Sequence, residues 1–121
     1  MSVPVWIGVA ALGGVGALLR YVLDGFVQRR SAGEFPLGTF VVNILGCLCL
    51  GVLVGRSVGG DALLLAGTAL LGSFTTFSTW MLETQRLAED GEGRIALANL
   101  VVSVAAGLGA GATGWLIGAA L

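Results

Sequence analysis

The side chains with chemical potential gather in one stretch, Gly72-Ser73-Phe74-Thr75-Thr76-Phe77-Ser78-Thr79-Trp80, inside a long apolar segment. Five of these residues carry hydroxyls and three carry aromatic rings. Hydrocarbon offers no water to solvate a hydroxyl, so such groups need partners in protein, an ion or a water-filled cavity. A helix interrupted near mid-membrane frees backbone carbonyls that can coordinate a cation. Aromatic ring edges are electropositive and can face an anion. The stretch therefore reads as the core of an ion site.

Composition says what must hold such a site. The chain has 121 residues, 56% hydrophobic and 11% charged, against roughly 25% charged in an ordinary soluble domain. Mean hydropathy is +0.97. There is no His and no Lys, so His/Cys zinc chemistry and His-based acid–base catalysis are excluded, and no nucleophile–base constellation points to an enzyme. A net charge of −1 leaves no basic face for nucleic acid. Cys47 and Cys49, two apart on a helix, point to nearly opposite faces and read as small hydrophobes. The start, Met1-Ser2-Val3-Pro4, lacks the basic region of a signal peptide, so the first segment is expected to stay in the mature protein.

A spanning helix needs roughly 20 apolar residues, and the sequence holds four such segments: about 5–27, 37–54, 62–82 and 95–120. Residues 1–121 are thus expected to form a single four-span, all-α membrane domain. The third span is expected to break mid-membrane and then continue as an exposed helix through Glu83, Arg86 and Leu87. Arg20 near the end of span one has two readings: it snorkels to the interface beside Asp24, or it faces a vestibule and draws anions in. Asn43 is the only amide in span two and also has two readings, a neutral donor for an anion or glue between helices. In span four, Asn99 and Ser103 share a face. The glycines at 107, 111, 114 and 118 read most simply as a packing face, with a polar track of Asn99, Ser103 and Gly107 beside a pore as the alternative. Four spans cannot easily enclose a pathway, so a dimer or larger oligomer is expected.

Three motifs carry a family resemblance: Gly-Gly-x-Gly-Ala-x-x-Arg-Tyr at 13–21, Gly-Thr-Phe-x-Val-Asn-x-x-Gly at 38–46, and Gly-x-x-Thr-Thr-Phe-Ser-Thr at 72–79. Together they resemble the Fluc/CrcB fluoride channels across all four spans in order. The resemblance implies an antiparallel dimer of dual topology in the cell membrane, with two narrow pores that pass fluoride passively and confer fluoride resistance. It implies a structural Na⁺ at the dimer centre, held by the Gly72 and Thr75 carbonyls of both subunits. It places Asn43 as the pore amide, Phe77 as the first ring of a Phe box, Ser78, Thr79 and Glu83 as hydroxyls and a conduction-linked acid, Ser103 as a pore-lining serine, and Arg20 as the vestibule arginine. One position departs from the pattern. The second ring is usually Phe and is Trp80 here, whose indole either substitutes through its own positive edge or narrows the pore.

Charge distribution adds an orientation. Arg29, Arg30, Arg86 and Arg94 fall on one side of the membrane and only Arg56 on the other. Basic loops favour the cytoplasm, which points to a fixed subunit paired with an oppositely oriented paralogue. A homodimer whose loop acids offset the bias is the alternative. Two rival functions remain: a non-conducting partner subunit, and a proton-coupled exporter like the small multidrug resistance proteins. The exporter chemistry needs an intramembrane carboxylate, and no acid precedes Asp24 in span one.

Overall fold

The computed structural model describes all 121 residues, and every element is helical. Helix α1 runs Val3–Arg30 and α2 runs Leu37–Gly55. The third span begins as α3, Gly60–Leu63, passes through a π-helical segment at Leu64–Leu71, and closes its first half with α4, Gly72–Phe74. It resumes as α5, Ser78–Glu89. Helix α6, Gly93–Ala120, completes the chain. Four helical units are long and apolar enough to cross a membrane, counting Gly60–Glu89 as one. The helices overrun the expected spans at most ends, because amphipathic turns at an interface extend a helix without adding to its apolar run.

Only 13 of 121 residues are buried, and large apolar side chains such as Trp6, Leu18, Leu108 and Leu116 are exposed. In water this surface would be untenable; facing lipid or another subunit it costs nothing. The interior is built from backbone proximity rather than from large side chains. A Cβ on Gly114 would fall on the Leu48 carbonyl, so α2 and α6 approach to backbone contact there. A Cβ on Gly16 would meet Ser73 Oγ and the Leu70 carbonyl, which seats α1 against the first half of the third span.

The expected exposure of the helix beyond Glu83 holds only in part. Arg86 is exposed, but Leu87 is 7% exposed and belongs to the small core with Val42, Ala69 and Ala96. The α5 segment packs on α6, and Leu87 falls on the packed face.

Candidate ion site

The third span breaks at Thr75, whose φ of −82° and ψ of 161° are extended rather than helical. No proline causes this. Hydroxyls compete with the helix for its own backbone groups. Ser73 Oγ donates to the Ala69 carbonyl at 2.7 Å and lies 3.0 Å from that of Leu70. Thr75 Oγ1 donates to the Leu71 carbonyl at 3.1 Å. Thr76 Oγ1 accepts the Thr79 N–H at 3.2 Å and so caps the start of α5.

Asn43 completes the break. Its Nδ2 donates to the Thr76 carbonyl at 2.9 Å, and its Oδ1 accepts the Thr76 N–H at 2.8 Å. One side-chain amide thus satisfies both backbone groups of a residue that has left the helix. Asn43 ties α2 to the broken span, and it also lines the cavity described below.

The diverted donors have a consequence for two carbonyls. In an uninterrupted helix the Thr76 N–H would bond Gly72 and the Thr79 N–H would bond Thr75. Those amides go instead to Asn43 and to the Thr76 hydroxyl, and neither the Gly72 nor the Thr75 carbonyl accepts a backbone hydrogen bond. These are oxygens of the kind a hard cation takes.

A cavity of about 470 Å³ opens between α2, the broken span and α6. It brings together Asn43, Gly72, Thr75, Phe77, Trp80 and Ser103 of the expected site, with Thr76 beside them. Phe77 and Trp80 meet edge to face, centroids 5.7 Å apart at 79°. Phe77 is 70% exposed on this single chain. The indole N–H of Trp80 is not offered to the cavity: it donates to the Asn99 carbonyl at 3.1 Å.

Four expected site residues, Arg20, Ser78, Thr79 and Glu83, do not line this cavity. Thr79 accepts the Thr76 hydroxyl at 3.2 Å, and Ser78 Oγ lies 3.4 Å from the same oxygen, so both belong to the cap of α5. Arg20 Nε points at the Ser73 carbonyl at 3.4 Å. A guanidinium at the C-terminal end of the first half-helix complements its dipole. Glu83 Oε1 and Thr39 Oγ1 are both buried and neither has a hydrogen-bond partner. Thr39 is a residue the sequence reading did not single out. Its signal was its place four residues before Asn43, on the same face of α2. Thr84 and the bonding role of the half-buried Thr76 were likewise not evident. Phe74 lies against α2 near Gly46, in a packing role.

With this geometry in view, the comparison with known proteins decides the family. Residues 7–115 match the family model described as "CrcB-like protein, Camphor Resistance (CrcB)". The chain belongs to the CrcB family. Similar family members include a protein of Mycolicibacterium paratuberculosis named "Fluoride-specific ion channel FluC 2", 59% identical over 88% of this chain and 87% of its own. A protein of Mycobacterium bovis with the same name is 54% identical over 96% and 93% of the two chains. A "Fluoride-specific ion channel FluC 1" of Streptomyces avermitilis is 51% identical over 90% and 91%.

Proposed function

We propose that this chain is a pore-forming subunit of a passive, fluoride-selective channel of the cell membrane that lets cytoplasmic fluoride out. The observation that carries the reading is the cavity at the helix break, lined together by Phe77, Trp80, Asn43 and Ser103. Fluoride is small and strongly hydrated. Many weak, neutral donors can replace its water without trapping it, whereas a full positive charge beside it would hold it. Relatives matched over most of their own length that carry a fluoride-channel name support the same conclusion.

Two opposed subunits complete the pathway in this reading. Phe77 and Gly72 are exposed on the single chain, beside the break, where a second subunit would cover them. A Na⁺ at the dimer centre would be held by the Gly72 and Thr75 carbonyls of each subunit, and would supply mild positive potential near the anion path. The donor set is suited to such an ion, since both oxygens lack a backbone partner. Arg20, set against the end of the first half-helix, would add positive potential toward the vestibule. Glu83 and Thr39 would line the path farther along.

The excess of arginine on one side, together with relatives numbered FluC 1 and FluC 2, favours a heterodimer with an oppositely oriented paralogue. A C-terminal topology reporter distinguishes the forms: signal from one face only supports the heterodimer, and equal signal from both supports the homodimer. An exporter of the multidrug type is disfavoured because no residue lining the cavity is acidic. Ion efflux from liposomes holding the purified protein, read with a fluoride electrode, tests the channel itself. Fluoride release with chloride retention is expected; retention of both would leave only the role of a non-conducting partner.

A further inference from the structure

Asn99 is 1% exposed, a polar amide deep in an apolar bundle. Such a group is tolerated only when its hydrogen bonds are made. Its Nδ2 donates to Thr84 Oγ1 at 2.8 Å, and Thr84 Oγ1 donates onward to the Trp80 carbonyl at 2.8 Å. The Trp80 indole N–H returns to the Asn99 carbonyl at 3.1 Å. The three bonds close a loop through residues 80, 99 and 84 that ties α5 to α6. Ser103 Oγ adds a longer bond of 3.3 Å to Asn99 Oδ1.

We infer that Asn99 and Thr84 are positioning residues that fix the Trp80 ring at the cavity, so that its C–H edge and not its N–H faces the ion path. Neither residue lines the cavity; both act through Trp80. An indole N–H free in the cavity would be a strong neutral donor and would retain an anion. Bound to a backbone carbonyl, it leaves the weaker C–H edge to the path, while the Trp80 and Phe77 rings pack against each other at 79°. The loop thereby lets a tryptophan serve where a smaller ring would need no such restraint. Ser103 is tuned by the same amide. Its proton points to Asn99 across the longest bond of the set, the one an arriving anion displaces most readily.

The flux arm of the test rests on the fluoride-channel reading, and the fluorescence arm does not. The chain has three tryptophans, and Trp6 and Trp115 are 57% and 50% exposed on the outer surface. Replacing both by Phe leaves Trp80 as the sole tryptophan in the full-length, reconstituted protein, excited at the red edge where Tyr21 does not absorb. In that parent, the anisotropy of Trp80 should decay only with overall tumbling. Thr84→Val, of nearly the same shape, and Asn99→Ala should each add a fast nanosecond component, while Thr84→Ser should keep the parent decay. Fluoride efflux should fall about tenfold in Thr84→Val, the scale of one lost buried hydrogen bond. Combined with Trp80→Phe, Thr84→Val should add less than about twofold, because coupled residues are not additive. An unchanged Trp80 decay in Thr84→Val, or an equal loss of flux with Trp and with Phe at position 80, overturns the inference. A parent that moves no fluoride overturns the channel reading instead, and the anisotropy still decides the role of the loop. Thr84→Val and Thr84→Ser decide it also where Asn99→Ala does not fold.

Discussion

Asn43 and Thr76, 33 positions apart, are joined by two hydrogen bonds in which one side-chain amide takes both the N–H and the C=O of the other residue's backbone. The pairing resembles a single rung of a β-ladder built onto a helix. It gives the broken span a fixed geometry where the helix itself supplies none, and it leaves the Gly72 carbonyl without its usual donor.

Asn43→Asp keeps the acceptor for the Thr76 N–H but sets a second acceptor against the Thr76 carbonyl and a negative charge beside the ion path. Fluoride efflux should fall by at least about 100-fold, as expected for a lost charge-sensitive contact of roughly 3 kcal/mol. Asn43→Ala, without the charge, should still destabilise the protein by about 2–4 kcal/mol, because two backbone groups are left unpaired. Thermal unfolding in detergent measures the second effect and liposome efflux the first.

Gly46 sits where the Thr75 methyl group approaches α2, and a Cβ there would collide with it. Gly46→Ala should destabilise by about 1–3 kcal/mol, the usual cost of overpacking, and should shift the break that Thr75 begins. Gly13 faces open space, so Gly13→Ala should be neutral or slightly stabilising. Melting of both variants side by side checks the contrast.

Thr76→Val removes the oxygen that accepts the Thr79 N–H. Loss of this cap should cost about 1 kcal/mol and speed hydrogen exchange at the Thr79 amide. The Asn43 pairing uses only the Thr76 backbone, so it should persist. Exchange at Thr79 rising while the Thr76 amide stays protected would show the two devices to be separate.

Removal of Na⁺ tests the proposed ion. A ligand bound by the folded form alone stabilises it by about 2.7 kcal/mol at a hundredfold excess over Kd, so replacing Na⁺ with N-methylglucamine should lower the unfolding midpoint. Restoring Na⁺ should recover it. A midpoint indifferent to Na⁺ would remove the ion from the assembly.

Much of this arrangement could be read from residue order. Four apolar runs give the spans, and hydroxyls without water identify 72–80 as the place where the helix fails. What residue order could not supply was the direction of individual bonds. Asn43 invites a role toward the ion or toward a helix, and only the position of the Thr76 backbone decides that its oxygen and one N–H are committed. Trp80 shows the same limit: its N–H is consumed by a carbonyl 19 residues away, which no local pattern announces. Ser78 and Thr79 share the composition of the site, yet both hydroxyls lie against Thr76 Oγ1 at the start of α5, because hydroxyls this close in sequence find one another and the local backbone first. Thr39 and Thr84 look like ordinary helix residues until packing buries the first and Asn99 of α6 meets the second.

Fluoride efflux from liposomes holding the purified protein, with chloride as the companion ion, bears most directly on the claim that a clamped helix break forms a fluoride path. Rapid release of fluoride with chloride retained, abolished by Asn43→Asp, is the predicted result. Equal fluoride release from wild type and Asn43→Asp would contradict it.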